Sequence, residues 1–130
     1  MDIRIARNLT VSTIEEPSST GESLSPAVDL GAHTRIDGAL TLTAIDGNDT
    51  GESPPLLEAE LEVSADGTNW GTPDGLDVLV SASEVGSYTF SLVSLSYKSM
   101  RLLLRLTNGD GEDGKIGYAI VAVTANLVAN

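Results

Sequence analysis

Cysteine is absent from this 130-residue chain, and histidine occurs once, as His33. Without thiols there is no disulfide, no thiolate nucleophile and no thiolate metal site. A serine nucleophile would need a histidine or comparable base beside it, and the one histidine lies in a predicted loop; one histidine without cysteine also leaves no zinc or iron ligand set. His33 falls in a predicted loop and reads as a surface residue. Aromatic residues make up only 4% of the chain, so its core has to be assembled from Leu, Val, Ile and Ala. No segment approaches the roughly 20 apolar residues of a membrane span. The opening MDIRIARNLTVS alternates and carries charge where a signal peptide has a continuous apolar run, so neither signal-directed secretion nor a membrane anchor is expected.

Cations are scarce as well. Two lysines stand against ten aspartates, the formal charge is −12, and the span from Ile36 to Tyr97 holds eleven Asp or Glu with no Lys or Arg. A field of that sign repels phosphate, which argues against nucleic acid and anionic membranes as partners.

What the chain has is alternation of period two, the mark of strands. Ile3, Ile5, Leu9 and Val11 share one face of the first segment, with Arg4, Asn8, Thr10 and Ser12 on the other. Glu15 to Ser25 reads as a polar loop and Ala27 to Leu30 as a short strand. In Thr34 to Ile45 the apolar face is Ile36, Leu40, Leu42 and Ala44. The clearest pattern puts Leu57, Ala59, Leu61 and Val63 inward and Glu58, Glu60, Glu62 and Ser64 outward. Asp66-Gly67 and Asp74-Gly75 are hairpin signals, because such turns need positive φ. Further strands are predicted at Leu76 to Ser81, at Ser87 to Val93 and from Met100, where Leu102, Leu104 and Leu106 oppose Arg101, Arg105 and Thr107. Ile116 to Val128 is apolar on both faces, as in a central or interface-covered strand. About eight strands with 8 to 12 residue spacing predict an all-β chain: a single antiparallel β-sandwich, jelly-roll-like, over residues 1–130.

The remaining chemistry is that of carboxylates. Glu58, Glu60 and Glu62 lie on a predicted solvated face, whereas a glycosidase needs one carboxyl desolvated to act as acid. DGNDTG sets Asp46, Asn48 and Thr50 at alternate positions before Gly51, matching the first half of a calcium loop. The twelfth position is Leu57, and Glu58 comes one residue late. NGDGEDG offers Asn108, Asp110, Glu112 and Asp113 without the required spacing. Calcium is the one cofactor this pattern admits; the simpler reading of both loops is turns, which Asp, Asn and Gly also dominate. Lys98, Arg101 and Arg105 form a basic row, read either as a secondary contact or as cross-strand partners of Glu58, Glu60 and Glu62. Trp70 is expected to cover the hairpin edge, with ligand stacking as the other reading.

The run LEVSADGTNW, Leu61 to Trp70, contains S-x-DG-x-x-W, an element of β-sandwich hairpins. With SPAVDLGAHTRIDGALTLTAI before it and SYTFSLVSLSYKSMRLLLRLT and YAIVAVTANLVAN after it, the chain resembles small β-sandwich virion structural proteins of tailed phages and related viruses, the head decoration and capsid-associated proteins. It is less similar to discoidin-type carbohydrate or lipid binding domains, which are often closed by a disulfide. The phage resemblance implies a non-enzymatic protein made in the host cytoplasm and carried on the capsid surface of the virion. Its implied partners are the major capsid protein and copies of itself, with a trimer favoured. The strand 2–13 would then engage a neighbouring subunit through Ile3, Arg4, Ile5, Arg7 and Leu9. A tail-associated protein, or a carbohydrate or cell-surface binding module using Trp70, Tyr88, Tyr97 and Tyr118, is the alternative.

Overall fold

A computed structural model of the chain describes residues 1–73 and 78–129. Nine strands form: β1 (Asp2–Ser12), β2 (Thr20–Leu24), β3 (Val28–Asp29), β4 (Arg35–Asp46), β5 (Leu56–Ser64), β6 (Val78–Ala82), β7 (Gly86–Leu92), β8 (Ser99–Thr107) and β9 (Tyr118–Val128). One sheet has the order β1-β9-β4-β7. The other has the order β2-β8-β5-β6, with β3 pairing beside β2 on β8. All pairings are antiparallel. Leaving aside the two-residue β3, successive strands alternate between the two sheets except β5 and β6, which pair within one sheet; this is the winding of a jelly roll. The all-β sandwich expected from the alternation is the fold.

The inner rows are those the apolar periodicity marks. Leu57, Ala59 and Leu61 on β5, Leu102, Leu104 and Leu106 on β8, and Ile36, Leu40 and Leu42 on β4 are buried and meet between the sheets in one aliphatic core. Full burial of each such leucine contributes about 2 kcal/mol. Strand β9 is central, flanked by β1 and β4, and its inward Ala119, Val121, Val123, Ala125 and Leu127 are all buried. That position accounts for its apolar character on both faces.

The structure departs from the expected pattern at four places. The segment read as a loop, Glu15 to Ser25, contains β2, whose TGESL sequence lacks apolar alternation because it is an edge strand held by its backbone ladder to β8. The strand expected at Ala27 to Leu30 shrinks to Val28–Asp29. In β1 the register shifts between Arg4 and Ala6 and again between Ala6 and Leu9, so both Ile5 and Ala6 are buried; a bulge turns two successive residues toward one side. A shift between Leu42 and Ala44 in β4 likewise leaves Ala44 and Ile45 both half-buried. The Asp74-Gly75 turn and the start of the strand predicted at Leu76 lie outside the described residues.

Candidate contact surface

Strand β1 is an edge of its sheet, and the two halves of that edge differ. Met1 and Leu127 exchange both backbone hydrogen bonds, each at 2.8 Å. In an antiparallel ladder the next residue then points its backbone groups away from the partner strand. Asp2 and Arg4, opposite Asn126 and Thr124, therefore direct their N–H and C=O outward from the sheet, while Ile3 faces Ala125. Toward the other end the outward carbonyls are covered. Ser23 Oγ donates to Thr10 O at 3.1 Å, and Gly21 of β2 packs against Ser12 O so closely that a Cβ there would collide with it. The open part of the edge is thus the stretch from Asp2 to Arg7.

That stretch carries Arg4 and Arg7, both exposed. Arg35, Arg101, Arg105 and Lys115 each have a carboxylate within 4.0 Å; among the described residues, Arg4 and Arg7 have none. Ile3 and Leu9 are half-buried, whereas Ile5 is buried in the core and unavailable to a partner without rearrangement. Asp2, which the sequence reading did not single out, shares the open edge with Arg4. Its i, i+2 spacing on a strand was the available signal. Beside this edge runs an open groove of about 1270 Å³ over the four strands of the β1 sheet, lined in part by Arg4, Arg7, Asp37, Thr89, Thr124 and Asn126.

In the second basic row Arg101 and Arg105 are internally paired. Arg101 Nε bonds Glu62 at 2.7 Å, its cross-strand neighbour. Arg105 bonds Glu60 at 2.6 Å and Glu22 of β2 at 2.9 Å, and these two carboxylates hold its pKa above the usual arginine value. Glu58, although in register with Arg105, is not its ion-pair partner. Such half-exposed cross-strand pairs contribute some tenths of a kcal/mol each and help fix register. Lys98 is exposed and has no carboxylate partner among the described residues.

Trp70 completes this surface. The loop after β5 returns through paired hydrogen bonds between Val63 and Gly71, at 2.8 and 3.0 Å, and lays the indole over Arg101, whose Cζ is 4.3 Å from the ring centroid. Asp66 organises the turn by accepting from the N–H groups of Asn69 and Thr68, each at 2.8 Å, and these bonds hold its carboxyl well below the usual carboxylate range. Gly67 supplies the positive φ, 83°. The other rings sit elsewhere: Tyr88 on β7 and Tyr97 before β8 pack against the core, and Tyr118 opens β9.

The calcium-loop candidates are not gathered into a ligand set. Asn48 is fully buried; its Oδ1 accepts from Lys115 N at 2.9 Å and its Nδ2 donates to Glu15 O at 3.0 Å. Asp46 ends β4 exposed, and the Thr50 hydroxyl is bonded to Asp113. Asp113 also accepts from Asp49 N at 2.9 Å; chiefly through that bond, then the one from Thr50, its pKa falls to about 2. No group of three His, Asp or Glu able to hold a metal occurs among the described residues. His33 is half-buried, with Nδ1 2.9 Å from Leu30 O. The displaced carboxyls Asp37, Asp66 and Asp113 all move downward, opposite to the shift a general acid requires.

No protein-family model matches the chain, and no curated protein matches it. Among solved structures it is similar to TmCBM61 in complex with β-1,4-galactotriose, at 14% identity and TM-score 0.47, covering 92% of this chain and 70% of that one. It is similar to PirA at 13% identity and TM-score 0.47, covering 95% and 94%. A chain of infectious bursal disease virus, Gx strain, gives 9% identity and TM-score 0.48; all of this chain covers 32% of the viral one. With TM-scores below 0.5, these likenesses carry no argument about what this chain does.

Proposed function

We propose that the chain is a non-enzymatic structural protein of a virion, a capsid decoration protein that works through protein–protein contacts made by β1. The observation that supports this reading is the open half of the β1 edge. It presents outward-facing backbone groups together with Arg4 and Arg7, two cations with no acid within ion-pair distance among the described residues, on a chain of charge −12. Unpaired strand edges recruit other chains by adding strands, and cations on an acidic protein favour an acidic partner surface. The virion assignment adds the resemblance of the sequence blocks to phage head proteins.

The test is binding to assembled capsid shells, read as saturable co-sedimentation. Arg4→Glu with Arg7→Glu should weaken it at least tenfold. Absence of binding by the unaltered chain at capsid saturation overturns the assignment. A sugar-binding module is the alternative; it would have to use the remaining face of Trp70, because Arg101 occupies the other and the tyrosines sit on other parts of the fold.

A further inference from the structure

The open part of β1 is complementary to itself, and we infer that its partner is a second copy of this chain, paired antiparallel about Ile3. The inference rests on the reading of β1 as the contact strand and names what that strand contacts.

Asp2 and Arg4 aim their backbone groups outward and Ile3 does not. A two-fold axis through Ile3 sets Asp2 opposite Arg4 of the second copy and Arg4 opposite its Asp2. At both places outward N–H and C=O groups meet outward groups, so the ladder closes. At both places a carboxylate faces a guanidinium, since Asp2 and Arg4 lie on one face of the strand. The two Ile3 side chains, each half-buried in the single copy, meet at the axis.

Neighbouring registers fail on physical grounds. A slip of one residue sets outward groups of one copy against groups already bonded to β9. Centring the axis on Asp2 places two carboxylates face to face, and centring it on Arg4 places two guanidinium groups face to face. Like charges directly opposite are destabilising. Extension toward Thr10 is blocked by β2, and the register shift after Arg4 bends the strand away. The contact is therefore short and two-fold, an isologous dimer rather than the ring of three implied by the phage resemblance, and it forms at high local concentration, as on a lattice.

Ile3 supplies the test. Opposed residues at a non-hydrogen-bonded antiparallel site have Cα atoms about 4.5 Å apart, within the range a disulfide spans. In this cysteine-free chain, oxidised Ile3→Cys should give a covalent dimer at roughly 100 µM chain, where a small contact is populated. Thr89→Cys, exposed on the opposite edge strand β7, should not. By sedimentation equilibrium, Arg4→Asp alone should weaken the dimer about tenfold. Asp2→Arg combined with Arg4→Asp exchanges the charges and should return it to within about threefold of the original. Equal cross-linking at both cysteine positions, a monomer at all concentrations, or a double variant weaker than the single one overturns the inference. Dimerisation without capsid binding would overturn only the virion reading; capsid binding by a chain that neither dimerises nor cross-links through position 3 would overturn only this one.

Discussion

Asn108 Oδ1 accepts the backbone N–H of Asn48 at 2.9 Å, and this bond ties two glycine-rich loops into one buried junction. The same oxygen accepts from Gly109 N at 2.9 Å, while Nδ2 faces the carbonyls of Ile14 and Lys115 at 3.2 and 3.0 Å. Three separate loops are thereby held by one side chain. Asn108→Ala should cost about 3 kcal/mol, because several buried backbone groups lose their partner together.

Asn108→Asp is the sharper probe of this junction. It keeps the shape but replaces the donating amide with oxygen, which when ionised is repelled by the carbonyls it faces. The folded-state pKa of the new carboxyl should rise above its unfolded value, so its penalty is smallest below about pH 4 and grows as pH rises beyond that. The urea midpoint difference between Asn108→Asp and the unaltered protein, measured at pH 4 and pH 7, should widen at pH 7. An equal difference at both would show that Nδ2 is not a required donor.

Trp70 and Arg101 make a second separable unit. Loss of the indole uncovers the Arg101–Glu62 pair and releases the loop that closes at Gly71. Trp70→Ala should cost about 1–3 kcal/mol, from lost packing and a cation–π contact. Thermal melting should register it while capsid or dimer affinity changes by less than about twofold. A large loss of binding to a sugar array with an unchanged melting temperature would reverse the roles.

The legible elements are those with one buried face. Leu57, Ala59 and Leu61 against Glu58, Glu60 and Glu62 fix both the identity of β5 and the side that meets the core. Arg101 and Arg105 on β8 then find partners because opposite charges share a sheet face: Arg101 meets Glu62 and Arg105 meets Glu60, while Lys98, before β8, has none among the described residues. Strand β2 leaves no such trace, since Thr20 to Leu24 alternates only between exposed and half-buried positions. The buried Asn48 and Asn108 are written in the same Asp, Asn and Gly alphabet as exposed turns, so the sequence cannot separate a junction from a calcium loop. Arg4 and Arg7 are visible as isolated cations, but the openness of their edge depends on where β2 crosses β1, a tertiary fact.

Acid should loosen the loops before it dissolves the core. The bonds from Asp49 N–H and the Thr50 hydroxyl lower the Asp113 pKa from the usual 3.8 to about 2, and Asp66 and Asp37 are also lowered. A depressed carboxyl pKa contributes stability that is complete above the unfolded value and lost as pH falls through the folded one. Stability should therefore decline from about pH 4–5 downward. Asp113→Asn should be less stable than the parent at pH 7 and show a shallower decline between pH 4 and pH 2. Parallel curves for the two proteins would show that the bonds from Asp49 and Thr50 do not lower its pKa.

Gly38 and Phe90 occupy paired positions on β4 and β7, and the aromatic ring lies where a side chain at Gly38 would be. A β-carbon there would be driven into the ring, so the edge strand β7 can cover its neighbour only because Gly38 has none. Gly38→Ala ordinarily favours a strand by reducing unfolded-state entropy, yet here it should destabilise by about 1–2 kcal/mol because Phe90 must leave its place. Phe90→Ala removes the obstacle at its own packing cost. The double variant should then be more stable than the sum of the two single changes predicts, with a coupling of at least about 1 kcal/mol. Denaturant unfolding of the four proteins measures that coupling directly, and additivity would mean that the ring does not pack on Gly38 in solution.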